Sequence, residues 1–375
     1  MNVALFFTYG VTLKDWLESG MLEREIEIYE QIANNSEIKF TFITYGTEED
    51  LKIINNKDHI TILPIGKYLK NSNKVKYFFK SLIVPFKIKD NLKDIDLYKT
   101  NQLMGSWIPI ILKFLMKKPL IIRTGYDIFD FSIKERKSFL KRVFYYLLTY
   151  LSLAFSDKYF VSSNTDLNNI KKRFKFIKKN KLSLKPNWVN VQESNKLFED
   201  RIENRVLCIG RIESQKNYAN LIKSLKNSEI EIDIVGEGSL KKEIANVANK
   251  YKVKVNFLGI LSHNKLLDFI ENYKYFVLYS KFEGHPKSLI ETMSKGCIPL
   301  VLSNKNILEV IEHKNNGIVL KNEKDSITKW INYLNQNKKE AKNLSLKAEK
   351  FVEDNFSLSN FIKEEIEEYN RLIIK

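Results

Sequence analysis

Two pairs of charged side chains in the second half of the chain stand at spacings that could do chemistry. Arg211 and Lys216 lie five residues apart, behind the apolar run Val206–Ile209 and Gly210 and ahead of a helical segment from Tyr218 to Leu225. A loop between strand and helix holds both cations near a helix N-terminus, whose open N–H groups favour an anion. Arg offers a planar fork and Lys a point charge, a combination able to neutralise a diphosphate. The second pair is Glu283 and Glu291, eight positions apart in FVLYSKFEGHPKSLIETMSKGCIPLVL, residues 276–302. Residues 276–280 read as a buried strand and Phe282-Glu283-Gly284-His285 as a loop. Pro286 suits the first turn of a helix that stops at Gly296. Glu283 then meets a ligand at the helix start, Glu291 lies a turn and a half deeper, and N–H groups near Gly284 and His285 add donors. Charge by itself does not separate these four from plainer alternatives. Arg211 and Lys216 are two of 62 basic residues, and Glu291 is four residues before Lys295, the favourable orientation for a surface helix pair.

The elements that must position these groups follow from an alternation of apolar and amphipathic runs. Asn2–Phe7, Phe40–Thr44, Ile60–Leu63, Ile95–Thr100 and Leu120–Arg123 read as strands, with 157–161 and 181–185 as the last of a first set. Helical patterns separate them at Leu22–Ala33, Lys74–Ile88 and Trp107–Met116. Pro186-Asn187-Trp188-Val189-Asn190 breaks the pattern, and the polar stretch 191–204 reads as a linker. A second alternation runs through Val206–Ile209, Ile232–Val235, Val253–Leu258, Phe276–Ser280 and Ile298–Leu302. Alternating strands and helices predict an α/β fold of two doubly wound, Rossmann-like domains facing one another across a cleft. In such sheets the loops at the strands' carboxyl ends bind ligands. That puts both pairs in loops of the right kind.

Length and composition agree. A chain of 375 residues with 44% hydrophobic residues is long enough for two cores. Residues 3–7 are apolar without a basic lead-in, so no secretory signal is expected. Cys208 and Cys297 sit in apolar runs and are expected to be reduced packing residues, without metal-ligand spacing. The net charge of +17 allows nucleic acid, an anionic membrane or anionic small molecules as partners. Much of the basic excess lies in 67–93 and 134–185, interleaved with aromatic and aliphatic residues. Val143–Ser156 is uncharged but too short to span a bilayer, and the basic cluster Lys134–Arg142 precedes it. A helix basic at one end and aromatic along a face suits a membrane interface; a core helix with a solvated basic lead-in is the alternative.

The two pairs, in this order and about 70 residues apart, resemble the donor-site motifs of retaining GT-B glycosyltransferases, family 4 (group 1) in particular. Gly210-Arg211 with Lys216 matches the family's G-R-x-x-x-x-K, and Glu283-Gly284-His285-Pro286 with Glu291 and Gly296 matches its E-x7-E segment, His285 replacing the usual aromatic residue. The resemblance covers nearly the whole chain. It implies a GT-B fold: an acceptor-binding domain at 1–190, the linker 191–204, a nucleotide-sugar-binding domain at 205–356, and a C-terminal helix, 357–375, returning to the first domain. Arg211 and Lys216 would bind the donor diphosphate. Glu283, Gly284, His285 and Pro286 would surround the donor sugar, and Glu291 would hydrogen-bond the ribose. Gly236, in Gly236-Glu237-Gly238, resembles the family's G-x-G turn, and Leu258-Gly259 the loop whose backbone meets the base. Gly20 stands where the family often has a glycine near the donor phosphate or acceptor. Where the family commonly has a His, this chain has Arg123-Thr124-Gly125-Tyr126-Asp127. There Arg123 and Tyr126 become acceptor contacts and Asp127 a catalytic candidate, joining Arg211, Lys216 and Glu283.

The implied function is transfer of a hexosyl group, with retention and without a metal or resident cofactor, from a nucleotide-sugar, expected to be UDP-linked, to an acceptor hydroxyl. The expected acceptor is a glycan or lipid-linked precursor in cell-surface polysaccharide or glycolipid synthesis. The expected setting is the cytoplasmic side of the plasma membrane, with peripheral contact to anionic lipid and no nucleic acid. The alternatives are a GT-B sugar-nucleotide epimerase or phosphorylase, a basic nucleic-acid-binding protein, and a catalytically silent membrane-associated protein.

Overall fold

The apolar runs of the sequence become two parallel sheets. In the computed structural model, which describes residues 1–54, 57–70, 73–178, 180–192, 194–321 and 326–374, the chain divides into two units. One is Met1–Lys185 with Ile362–Lys375, the other Pro186–Phe361. Glu193 of the expected linker and Lys375 of the expected last helix lie outside the described residues.

The N-terminal unit holds β1 (Asn2–Phe6), β2 (Lys39–Thr44), β3 (Ile60–Pro64), β4 (Leu97–Thr100), β5 (Leu120–Thr124), β6 (Lys158–Val161) and β7 (Leu182–Leu184). They pair in parallel in the order β3-β2-β1-β4-β5-β6-β7. Helices Lys74–Ile88 and Trp107–Met116 fall on the residues their periodicity predicts. The uncharged run from Val143 lies within a 17-residue helix, Phe139–Phe155. That helix is only half a core element: Leu148, Thr149, Ser152 and Leu153 are buried, while Phe139, Leu140 and Leu147 are exposed. No described helix is long and apolar enough to cross a membrane.

The C-terminal unit holds β8 (Ile202–Ile209), β9 (Glu231–Val235), β10 (Val255–Gly259), β11 (Tyr273–Leu278), β12 (Ile298–Leu302) and β13 (Ile318–Leu320). Its order is β10-β9-β8-β11-β12-β13, which counted within the unit is the 3-2-1-4-5-6 of a dinucleotide-binding sheet. All its pairs are parallel. Alternate residues of β8 feed opposite cores. Val206 and Cys208 pack with Ile232, Ile234, Tyr275 and Val277, and Leu207 and Ile209 with Phe276, Leu278, Leu289 and Met293. A sheet covered on both faces explains why these strands read as continuous apolar runs. Both cysteines are free and fully buried, and burial pushes the Cys297 thiol up to about 12.

Some boundaries differ from the sequence reading. β11 begins at Tyr273, three residues early, because Lys274 is accommodated inside the strand: its buried ammonium reaches Glu203 at 2.5 Å. β13 has only three residues, too short a run to stand out. Pro186–Asn190 groups with the C-terminal unit; there Val189 N–H donates to Phe356 O and Val189 O accepts from Leu358 N–H, both at 2.9 Å.

The last helix, Leu358–Ile373, contributes Ile362 onward to the N-terminal unit. Its anchor is a buried ionic cluster. Glu365 accepts from Lys99 of β4 at 2.6 Å and pairs with Lys185, just past β7, at 3.1 Å. Lys99 also donates to the Tyr369 hydroxyl at 2.7 Å, and Glu368 pairs with Lys158 of β6. Burial by itself would raise the Glu365 pKa; Lys185, Lys99 and Arg123 override it and hold the carboxyl far below the usual range.

Candidate active site

In the C-terminal unit strand order reverses between β8 and β11, so the loops leaving these strands are neighbours. Arg211 and Lys216 belong to the first loop, Phe282 to Pro286 to the second. Lys216 Nζ stands 2.8 Å from Glu283 Oε1, with both side chains largely shielded. Gln215 ties the loops a second time, its side-chain amide donating to Phe282 O at 2.9 Å and to Glu283 Oε2 at 3.3 Å. A third tie is backbone: Lys281 N–H donates to Gln215 O at 2.9 Å. Arg211 is exposed. The first of these loops therefore carries one cation already matched by a carboxylate and one facing solvent.

Glycines allow the neighbouring loops to close in. Gly236 follows β9 at φ +139°, and a Cβ there would meet Gly210 O at 2.3 Å. Gly238 is as tightly placed, its Cβ position 2.4 Å from Ile212 O. Gly236 N–H donates to Gly259 O at 2.7 Å, linking this turn to Leu258-Gly259 at the end of β10. Leu258 is partly exposed and Gly259 takes φ +70°. Glu213 holds the adjacent helix start by accepting from Ser239 N–H and Oγ at 3.0 and 2.9 Å.

The helix after the second loop is Lys287–Ser294, with Pro286 at its N-cap, one residue before the position expected for it, and Gly296 at φ +72° past its end. Glu291 is almost fully buried, as is Lys295, whose ammonium meets Glu271 at 2.7 Å. The surface-pair alternative is thus excluded for this helix. His263, first residue of the helix after β10, brings Nδ1 to 3.9 Å from Glu291 Oε1. Ser262 occupies that helix's N-cap position without a side-chain cap bond. The His285 ring meets Phe356 edge-on at 4.8 Å, and the residue's carbonyl accepts from Asn187 Nδ2 at 2.5 Å.

The remaining candidates lie in the N-terminal unit. Arg123, next to last in β5, is nearly buried and close enough to Glu365 to help hold it ionised. Tyr126 is exposed on one side and tilted against Phe131 at 4.4 Å. Gly125 N–H donates to Gln102 Oε1 at 2.9 Å, and Ser162 Oγ to Gly125 O at 2.6 Å. Asp127 is buried with both oxygens engaged. Oδ1 caps the helix Ile128–Lys134 through Phe129 and Asp130 N–H, and Oδ2 pairs with Arg173 at 2.8 Å. Burial raises its pKa, with Arg173 opposing. Gly20, at φ +69°, turns the chain between helices Leu13–Glu18 and Leu22–Asn34, whereas the loop leaving β1 carries Gly10. Gln215 and Gln102 went unremarked in the sequence, and Asn187 reads there only as part of the break at 186–190. Only Gln215 had a signal, its place beside Lys216.

Comparison with known proteins adds a family. Residues 190–351 match the family described as "Glycosyl transferases group 1". The capsular polysaccharide biosynthesis glycosyltransferase CapH of Staphylococcus aureus is 28% identical over 247 residues, 62% of this chain and 67% of that protein. The Campylobacter jejuni GalNAc-alpha-(1->4)-GalNAc-alpha-(1->3)-diNAcBac-PP-undecaprenol alpha-1,4-N-acetyl-D-galactosaminyltransferase is 30% identical over 191 residues, about half of either chain at 49%. The crystal structure of Anabaena HepE in complex with UDP-glucose superposes with a TM-score of 0.77 at 13% identity, covering 99% of this chain and 100% of that one. That likeness concerns the fold. The family match is thus carried by residues 190–351, all within the C-terminal unit, and the structural likeness is one of fold.

Proposed function

We propose that the chain is a retaining, family 4 hexosyltransferase that moves a sugar from a UDP-linked donor to a hydroxyl of a glycan or lipid-linked acceptor. The observation that carries this reading is the meeting of Lys216 and Glu283 on two adjoining loops of one switch point, with exposed Arg211 on the first of those loops. The donor's C1–O bond to the diphosphate breaks while the acceptor oxygen bonds C1 from the same face. The leaving phosphate oxygen takes the acceptor's proton. Arg211 and Lys216 stabilise the diphosphate as its charge grows, a fixed electrostatic contribution that calls for no metal and no resident cofactor. Glu283 holds Lys216 in place and, with Gly284, His285 and Pro286, borders the sugar. Glu291 takes the ribose, while Gly236, Leu258 and Gly259 offer backbone to the base.

The N-terminal unit is the acceptor side, with Arg123 and Tyr126 facing the acceptor, Gly20 shaping a turn, and Asp127 a positioning residue for their loop. HepE's complex with UDP-glucose supports the choice of base. CapH and the undecaprenol-linked Campylobacter enzyme support an acceptor of cell-surface polysaccharide or glycolipid synthesis. Such an acceptor implies a peripheral protein on the cytoplasmic side of the plasma membrane, with no nucleic acid partner.

A thermal-shift panel of UDP, GDP, ADP, dTDP and CMP, run on wild type and Arg211→Ala, tests the donor site. A ligand that binds only the native state raises its apparent stability. UDP stabilising the wild type and not the variant is expected; no shift with any nucleotide overturns the reading. Labelled donor with and without acceptor then separates transfer from epimerisation or phosphorolysis by product, and the product's anomeric signal decides retention.

A further inference from the structure

We propose that the outer face of three helices in the N-terminal unit, Lys74–Ile88, Trp107–Met116 and Phe139–Phe155, seats that unit in the headgroup layer of an anionic bilayer. The proposal rests on the peripheral-membrane part of the reading above and names the surface that makes the contact.

The three helices lie side by side. Phe78, Trp107 and Phe144, one from each, meet with ring centroids 5.2, 5.8 and 6.3 Å apart. With that layer closed inwardly, apolar residues recur on the outward side. Val75, Phe79, Ile83 and Phe86 follow helical spacing along the first helix and are all more than half exposed. Phe139 and Leu140, 77% and 78% exposed, open the third helix, and Leu147 and Leu151 continue its stripe. Phe114 of the second helix, 60% exposed, touches Phe155 of the third at 4.9 Å, making those two outer surfaces continuous. Apolar exposure of this extent on one side of a domain marks an interaction site rather than ordinary surface.

Charge selects the partner. None of the three helices contains Asp or Glu, in a chain with 45 acidic residues, yet each carries Lys or Arg. Lys76, Lys87 and Lys141 are exposed among the apolar stripes. A second copy docked through the same face would oppose these cations to themselves, with no carboxylate from the helices to pair them. An anionic leaflet supplies the missing negative charge, and the aromatic and aliphatic tips reach the acyl boundary beneath it. At 17 residues the third helix spans roughly 25 Å, which fits lying in the interface and not crossing it.

Co-sedimentation of the full chain with phosphatidylcholine vesicles, with and without phosphatidylglycerol, tests this directly and without turnover. Binding is expected to the anionic vesicles, weakening with salt. Phe139→Ser/Leu140→Ser and Lys76→Glu/Lys141→Glu, all at exposed positions, are each expected to reduce it about tenfold or more. Wild type that ignores anionic vesicles at low salt, or variants that bind like wild type, would overturn the proposal. So would light scattering showing a dimer that Phe139→Ser/Leu140→Ser dissolves, which would assign the face to self-association. The nucleotide panel on the same variants keeps the two readings apart: vesicle binding without any nucleotide shift removes the donor site and leaves the docking face standing.

Discussion

Lys216 Nζ and Glu283 Oε1, 67 residues apart in sequence, stand 2.8 Å apart where the strand order of the C-terminal sheet reverses. The pair presets the ammonium in the loop where a diphosphate would be neutralised, and it leaves exposed Arg211 to supply the uncompensated charge. Removing either cation is expected to lower kcat/KM about 100-fold, but with different effects on folding. Arg211→Ala should melt within about 1 °C of wild type, as a surface change does. Lys216→Ala should lose about 2 kcal/mol, because Glu283 is left shielded without its partner. Lys216→Ala combined with Glu283→Gln should regain much of that stability and none of the activity, the signature of a coupled pair in a double-mutant cycle. Turnover and urea midpoints on wild type, these three variants and Glu283→Gln alone decide it.

Gly236 and Gly259 both have positive φ but differ in the room a methyl group would find. Gly236→Ala forces a Cβ to 2.3 Å from Gly210 O, whereas at Gly259 the nearest atom is Glu237 Oε1 at 3.6 Å. Gly236→Ala is expected to cost about 3 kcal/mol and to disturb the loop carrying Arg211. Gly259→Ala should cost about 1 kcal/mol from backbone strain alone. Equal losses in urea titrations would contradict the close approach of the two loops.

Asp127 offers a test between reacting and positioning roles. Its carboxylate caps a helix and pairs with Arg173, so Asp127→Asn should destabilise by about 2 kcal/mol through the lost buried charge pair. Protein that remains folded should keep kcat within about threefold. Normal melting together with a collapse of kcat would return Asp127 to the chemistry.

Glu365 predicts an acid limb. Its folded pKa is depressed, while in the unfolded chain a Glu titrates near pH 4.3. The unfolded state therefore takes up the proton first as pH falls, so the stabilisation is whole above about pH 4.3 and shrinks below it. Glu365→Gln should be less stable than wild type by about 3 kcal/mol at neutral pH, and the gap should narrow in acid. Urea midpoints between pH 3 and pH 7 measure both; a gap that widens in acid would mean the cluster does not hold Glu365 ionised.

Much of the fold was legible because parallel strands covered on both faces must be apolar throughout. Runs such as Ile298–Leu302 and helices such as Lys74–Ile88 declare themselves from local pattern. What local pattern misreads is a charged residue that finds its partner far away. Lys274 falls before the strand expected from Phe276, yet Glu203 receives it inside β11. Lys99 and Glu365, 266 residues apart, give no hint of each other. Asp127 reads as an acid at a strand end, and only Arg173 and the following N–H groups show which bonds it makes.

The sequence by itself determined which segments are strands and helices and which loops carry Arg211, Lys216, Glu283 and Glu291, because hydrophobic period and turn chemistry are properties of a few consecutive residues. Tertiary structure alone decided that β11 pairs with β8 and not with β10, bringing two distant loops together. It also decided which side of the helix Phe139–Phe155 is covered and which is left bare. The physical reason is the same in both cases: pairing and burial are set by what packs against a segment, and the apolar residues on the two sides of that helix look alike until a neighbour covers one of them.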